Sequence, residues 1–163
     1  SNKIKQFQLL YLTMDSETAS YDPDKFKTSY GAVQQDDLTF INHEDSAKIH
    51  DIDFLKNKYK IHVKSLTERL SYLTEIIKKN NSVPIYINQV MVNGQKSELM
   101  YITNEIIREY CTKNNIYFID LAKITKLELS DFYDDFHTTP EGSAKIANYL
   151  SSEILLILKK IFN

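Results

Sequence analysis

The chain has 163 residues, of which 42% are hydrophobic and 26% are charged, and this balance predicts one globular domain over residues 1–163 and excludes global disorder. Its 20 basic and 22 acidic side chains leave a formal charge of −2; with no basic stripe in the sequence, nucleic acid is not expected as a partner. The single Cys111 excludes an internal disulfide and a cysteine-rich zinc module.

The first third of the chain contains one clear strand pattern. Phe7 to Met14 form a short apolar run that predicts a buried strand, and the polar residues Asp15 to Thr18 after it resemble a helix start. Residues 22–55 are polar, and most of them are interpreted as connection, with a short strand at Leu38 to Ile41.

Two amphipathic helices and two strands are predicted next. The first helix runs from Lys56 to Lys79, and Asn80-Asn81-Ser82 separates it from a strand over residues 83–92. The second helix leads through Asn114-Asn115 into a strand from Ile116 to Ile119. The predicted apolar faces are Tyr59, Val63, Leu66, Leu70, Leu73 and Ile77 in the first helix, and Leu99, Ile102, Ile106 and Tyr110 in the second.

The last helix is predicted to begin near Thr139-Pro140, because Thr can cap free backbone amides and Pro suits the first helical turn. Its predicted apolar face is Ala147, Leu150, Ile154, Leu158 and Ile161. Strands that alternate with helices in this order predict an α/β fold built on a small, mainly parallel sheet. Ligands of such sheets gather at the carboxyl ends of the strands.

The stretch from Phe132 to Ser143 carries the residues best suited to chemistry. Asp134 precedes His137 by three positions on a loop that opens the last helix. Asp134 can accept the Nδ1 proton of His137, which leaves Nε2 able to take a proton from a nucleophile. The same two residues are also compatible with a solvated acid and a surface histidine, so both interpretations stay open.

The spacing Asp134-x-x-His137-x-x-x-x-Gly142, followed by an amphipathic helix, resembles the last signature block of the GDSL/SGNH hydrolases. The upstream elements, including the helix with Asn104 and the strand that ends at Ile119-Asp120-Leu121, are similar to the second half of that family over residues 56–160. The resemblance implies a three-layer α/β/α sandwich with a flavodoxin-like sheet, and it makes Asp134 and His137 two members of a Ser-His-Asp triad.

Two registers are open for the nucleophile. In the first, Asp15-Ser16 matches the family's Gly-Asp-Ser block, with Met14 in place of Gly, and Ser16 is the nucleophile. Ser16 is equally compatible with a helix cap. In the second, residues 12–15 match the Gly-x-Asn-Asp block, the chain is truncated at its amino end, and the nucleophile lies on absent residues.

The oxyanion donor also departs from the family pattern. In the first register Gly31 corresponds to the second block, and Asn42 to Asp45 correspond to the third, with Glu44 where the donor Asn is expected. Gln89 or Asn42 can substitute for that donor. Loss of one such donor costs about 10² to 10³ in rate, which favours weak catalysis or none.

The family resemblance implies a serine ester hydrolase that acts on a short acyl ester of a carbohydrate or lipid without a cofactor. Two alternatives are a non-catalytic or truncated domain used for binding or assembly, and an O-acyltransferase that uses the same triad. The segment from His43 to Asp53 contains imidazoles and carboxylates, but its spacing matches no metal motif, and no metal is expected. No membrane span or signal peptide is predicted, so the chain as given is expected to be soluble and cytoplasmic.

Overall fold

A computed structural model of the protein describes residues 49–90, 98–124, 127–132 and 137–162. In order, the helices and strands of these ranges are α1 (Ile52–Lys58), α2 (Lys60–Lys79), β1 (Ile85–Ile87), α3 (Glu98–Lys113), β2 (Tyr117–Ile119) and α4 (Pro140–Phe162). Two short 3-10 turns, Leu121–Lys123 and Leu129–Asp131, connect β2 to α4. The predicted α/β character is confirmed, whereas the strands predicted at residues 7–14 and 38–41 lie outside the described ranges.

The helix predicted to begin at Lys56 is divided into α1 and α2. The Asp51 carboxylate begins α1, since its Oδ1 accepts hydrogen bonds from the backbone amides of Asp53 at 3.0 Å and Phe54 at 3.1 Å. Tyr59, with φ −104° and ψ 27°, separates α1 from α2. The interpretation of most of residues 22–55 as connection is therefore wrong for residues 52–55, which are helical because Asp51 caps a helix that begins at Ile52.

Helices α2 and α3 end in the same way, at the Asn-Asn pairs that were predicted to end them. Asn81 and Asn115 have positive φ angles of 54° and 50°. The amide of the next residue then bonds back into the helix, with Ser82 N donating to Ile77 O at 3.1 Å and Ile116 N to Cys111 O at 2.9 Å. This is the Schellman ending, and Asn tolerates its left-handed residue. Each ending turns the chain towards a strand.

Strands β1 and β2 pair in parallel, with Ile85, Tyr86 and Ile87 opposite Tyr117, Phe118 and Ile119. β2 agrees with the prediction, but β1 is shorter than the predicted residues 83–92. The Asn88 backbone amide still donates to the Ile119 carbonyl at 3.4 Å, but the backbone of the next residue, Gln89, bonds to Asn104 on α3. A βαβ unit with its helix α3 on the connection is the arrangement that parallel pairing requires.

Two clusters of buried apolar side chains pack this part of the chain. The helical core joins α1, α2 and α3 through Leu55, Leu70, Tyr101, Ile102 and Ile106. The edge cluster consists of Val90, Leu121, Ile124, Leu127 and Phe132, against which Leu129, Ile146, Tyr149 and Leu150 pack. The edge cluster therefore joins residues that follow both strands to the first half of α4.

The predicted helix faces are confirmed in part. Ile102 and Ile106 are buried as expected, whereas Leu73 and Leu99 are 47% and 46% exposed. On α4 four of the five predicted residues, Leu150, Ile154, Leu158 and Ile161, are partly buried, whereas Ala147 is exposed and the buried Ile157 was not predicted. Cys111 on α3 is buried, and burial raises the pKa of its thiol to about 11. Among the described helices, none has the length and apolar character needed to cross a membrane.

Candidate active site

His137 lies on a short connection between the second 3-10 turn and α4. The adjacent Thr138 forms an isolated antiparallel bridge with Phe132, and the backbone amide of Thr139 donates to the Asp131 carbonyl at 2.8 Å. The side chain of His137 is exposed. Backbone contacts on the carboxyl side of His137 therefore hold this residue at the start of α4.

The start of α4 agrees with the sequence prediction. Thr139 is its cap, and its Oγ1 accepts a hydrogen bond from the backbone amide of Gly142 at 3.1 Å. Pro140 is the first helical residue, where its missing N–H costs nothing. The Thr138 and Ser143 hydroxyls lie 2.7 Å apart and add a second bond across this turn.

Gly142, the last residue of the Asp-x-x-His-x-x-x-x-Gly pattern, has a packing role. A Cβ at this position would lie 2.2 Å from the Asp131 carbonyl oxygen and 2.8 Å from the Asp131 Cβ. No flexible side chain can relieve the first of these contacts, because the oxygen belongs to the backbone. The absence of a side chain at residue 142 lets the first turn of α4 rest directly on Asp131.

Asp131 anchors the same connection through its buried carboxylate. Its Oδ2 accepts a hydrogen bond from Lys145 Nζ at 2.8 Å and from the backbone amide of Glu128 at 2.7 Å. Burial acts to raise the pKa of this carboxyl group, but the bonds from Lys145 and Glu128 outweigh it and hold the pKa below its usual value. Asp131 is thus an ionised group that ties α4 to the turn before His137.

A polar network lies at the carboxyl ends of β1 and β2. Asn88 is buried; its Nδ2 donates to Asp120 Oδ1 at 2.7 Å, and its Oδ1 accepts from the backbone amide of Ala122 at 2.9 Å. Arg108 on α3 donates to Asp120 through Nε at 2.9 Å and through Nη2 at 3.1 Å, and also pairs with Glu105. These bonds fix the residues that follow each strand.

A second buried amide holds the next residue of the chain. Asn104 on α3 donates from Nδ2 to the Gln89 carbonyl at 2.8 Å and accepts at Oδ1 from the Gln89 amide at 3.2 Å. Gln89 itself is exposed. The edge cluster links this strand end to the His137 connection, since Val90 and Phe132 both belong to that cluster.

The described ranges contain one member of the predicted triad. Ser16 and Asp134 lie outside them, as do Gly31 and residues 42–45, so the hypotheses about the nucleophile and the oxyanion block remain predictions. His137 is the predicted site residue that the structure describes. Within the described ranges no group of three or more His, Cys, Asp or Glu side chains is arranged to hold a metal ion.

Sequence reasoning assigned no role to Asn88, Asn104 or Asp131. Each makes its side-chain bonds to groups at least three positions away, and the partners of Asn88 lie 32 and 34 residues away. The sequence did contain one signal for the two asparagines: Asn88 lies in an apolar run that is predicted as a strand, and Asn104 lies among the apolar residues of a predicted amphipathic helix. A buried amide at such a position needs a hydrogen-bond partner.

Comparisons with protein-family models, with curated proteins and with solved structures yield no match to this chain.

Proposed function

We propose that the protein is an SGNH-like serine ester hydrolase that cleaves a short acyl ester of a carbohydrate or lipid. The observation that supports this proposal most directly is the setting of His137. An exposed imidazole precedes a capped helix, and its connection is anchored on Asp131 and joined through the edge cluster to residues that follow two parallel strands. Open parallel sheets bind ligands at this edge. In this proposal the α/β core belongs to a three-layer α/β/α sandwich.

The proposed mechanism uses Ser16, His137 and Asp134 in separate roles. His137 Nε2 takes the proton of the Ser16 hydroxyl as its oxygen attacks the acyl carbon, and the imidazolium then gives that proton to the departing alcohol. Water attacks the resulting acyl-enzyme, with His137 again taking and returning a proton, and the carboxylic acid leaves. Asp134 accepts the Nδ1 hydrogen and orients the ring.

The first test is hydrolysis of para-nitrophenyl acetate by the wild type, His137→Ala and Ser16→Ala. The proposal expects each substitution to lower kcat by about 10³-fold or more. His62→Ala is the matched control, because His62 is a partly buried histidine on α2 whose Nε2 lies 2.9 Å from Thr103 Oγ1 on α3. Equal rates in the wild type and His137→Ala would exclude His137 as the base.

A second test identifies the nucleophile without relying on turnover. A fluorophosphonate probe reacts with an activated serine, and peptide mapping by mass spectrometry locates the labelled residue. Labelling at Ser16 in the wild type, abolished in His137→Ala, is the expected result. Labelling at another serine would remove Ser16 from the mechanism and leave the hydrolase proposal standing.

A non-catalytic domain of the same fold is the alternative that a specific observation favours. Met14 stands where the family pattern has Gly before the nucleophile, and a side chain there makes the tight turn less permissive. Absence of both ester hydrolysis and probe labelling in the folded wild type would favour this alternative. An acyltransferase would instead be labelled and would transfer the acetyl group to an added sugar acceptor in preference to water.

A further inference from the structure

The outward side of α4 changes character along the helix. In the first half the exposed side chains are polar or small: Glu141, Ser143, Ala144, Ala147, Asn148, Ser151 and Ser152. In the last two turns, by contrast, Leu155 and Leu156 are 54% and 52% exposed and Phe162 is 77% exposed. The outward side of a surface helix is normally polar, so the end of α4 departs from the usual pattern.

The opposite side of the same turns is apolar as well. Ile157 is buried there, and Ile154, Leu158 and Ile161 are partly buried. Leu155 is two positions from Ile157 and therefore points away from it, whereas Leu155 and Phe162 are seven positions apart and share one side. A helix that is apolar on both sides normally buries both of them. The outward apolar residues are thus available for a second contact.

Two exposed lysines lie among these outward residues. Lys159 follows Leu155 by four positions and precedes Phe162 by three, so it lies between them, and Lys160 follows Leu156 by four. Within the described part of the chain neither lysine makes an ion pair, and residues 154–162 contain no Asp or Glu. We call the five residues Leu155, Leu156, Lys159, Lys160 and Phe162 the α4 tip, and this surface is both apolar and positively charged.

The end of α2 shows that lysines alone do not indicate a partner. α2 also ends in two lysines, Lys78 and Lys79, because cations stabilise the carboxyl end of any helix. Lys79 pairs with Glu75 at 2.7 Å, so part of the positive charge is balanced there. The α4 tip differs because its lysines have no acid on their own turns and alternate with exposed Leu and Phe side chains.

The charge of the α4 tip also bears on the choice of occupant. A symmetric contact between two copies of the chain would place Lys159 and Lys160 of one copy against the same residues of the other, and like charges repel. A negatively charged surface is favoured instead. An anionic lipid bilayer offers negative headgroups to the ammonium groups and an apolar layer below them to the Leu and Phe side chains.

We propose that the α4 tip binds the surface of an anionic lipid membrane. Leu155, Leu156 and Phe162 enter the boundary between headgroups and acyl chains, while Lys159 and Lys160 extend along them and keep their charged ends at the headgroups. The contact is peripheral, since the other side of the same turns packs on the protein. It involves none of Ser16, Asp134 and His137 and is therefore independent of the proposed ester hydrolysis.

The experiment measures co-sedimentation of the full chain with vesicles of phosphatidylcholine alone and of phosphatidylcholine with about 30% phosphatidylserine. Binding is expected to the anionic vesicles, and to be weaker without phosphatidylserine or at high salt. Leu155→Gln/Leu156→Gln should lower the partition coefficient by about tenfold. Lys159→Gln/Lys160→Gln should lower it by about fivefold for each lysine. Gln is chosen because it favours helix about as well as Leu and Lys do.

Leu73→Gln and Lys78→Gln/Lys79→Gln on α2 are the matched controls, because Leu73 is 47% exposed and both lysines are exposed. Their vesicle binding should equal that of the wild type. The urea midpoint of each variant should stay close to the wild-type value, since every substituted side chain is at least partly exposed to solvent.

Three results would overturn the proposal. One is a folded wild type that does not bind the anionic vesicles, including the case in which it forms dimers that Leu155→Gln/Leu156→Gln disrupts, since the α4 tip would then contact a second copy. Another is loss of binding in the lysine variant alone, which would assign the surface to an acidic protein partner. The third is equal binding by the wild type and both α4 variants.

Discussion

Gly142 shows how a single absent methyl group determines the packing of the α4 start. A side chain at this position would meet the Asp131 carbonyl oxygen at 2.2 Å, and the same carbonyl accepts the Thr139 amide hydrogen bond. Moving that oxygen away would break the bond that holds the connection beside His137. The Gly of the family-like pattern is thus explained by contact with backbone and needs no role in chemistry.

Gly142→Ala is expected to destabilise the protein by about 1 to 3 kcal/mol, the usual cost of forcing an extra group into a packed site. The direction is informative, since Ala in an open helix position would instead stabilise by about 1 kcal/mol. The free energy of unfolding in urea measures the effect. Ser151→Ala, at an exposed position of the same helix, is the control and should change stability by no more than about 0.5 kcal/mol. A stability gain in Gly142→Ala would contradict the packing explanation.

The predictability of the candidate site differs from one residue to the next. Thr139 and Pro140 were predicted as the start of α4 because capping depends on neighbouring residues. The bonds of Asn104 to Gln89, which lies 15 positions earlier in the chain, depend instead on where α3 packs against the residues that follow β1. Local sequence indicates that a buried amide needs a hydrogen-bond partner, but it does not identify that partner. The identity of the nucleophile likewise depends on residues outside the described ranges and stays a prediction.

At the scale of elements, the quality of each helix prediction follows from the contrast between its two faces. The periodic positions of α3 predicted its buried Ile102 and Ile106 because polar residues occupy the opposite side. α4 is apolar around much of its circumference, and Leu155 and Leu156 are both more than half exposed. Periodicity therefore defines the edges of this face poorly: Ile157 was missed and Ala147 was wrongly included, although the other four predicted residues are partly buried.

The attachment of α4 to the preceding turn depends on the ionised Asp131. Since the pKa of Asp131 is held below its unfolded value of about 3.9, its stabilising effect is present above about pH 5 and is lost as the pH falls through the folded pKa. Lys145→Met removes the hydrogen bond from Lys145 Nζ, which offsets the effect of burial on the pKa of Asp131, so this pKa should rise in the variant. The stability difference between the wild type and Lys145→Met should therefore shrink on acidification from pH 7 to pH 3.

Urea unfolding at several pH values measures this difference, and Lys160→Met on the same helix is the control. Lys160 is exposed near the carboxyl end of α4, and its substitution should leave the pH dependence of the wild type unchanged. A wild-type pH dependence in Lys145→Met as well would show that the Asp131–Lys145 pair does not couple α4 to protonation. Asp131→Asn should remove the same pH dependence from the carboxylate side.

At the scale of the whole molecule, the sequence predicted the parallel pairing of the strands around α3, and the structure confirms that pairing for β1 and β2. The α/β class follows from the alternation of strands and helices, which local patterns reveal. The three-layer sandwich remains a proposal, because it requires strands predicted at residues 7–14 and 38–41. The helical core and the edge cluster were not predicted as separate units, since their membership depends on contacts between distant elements.

Ile102 tests whether the helical core supports the stability of the protein. It is fully buried where side chains of α1, α2 and α3 meet, so Ile102→Val should lower the free energy of unfolding by about 0.5 to 1.5 kcal/mol through one lost methylene. Ile61→Val removes the same group from a side chain that is 79% exposed and should change stability by less than about 0.5 kcal/mol. A lower urea midpoint with an unchanged m-value is expected for Ile102→Val. Equal midpoints for the two variants would mean that contacts elsewhere determine stability, because burial is the main difference between these two positions.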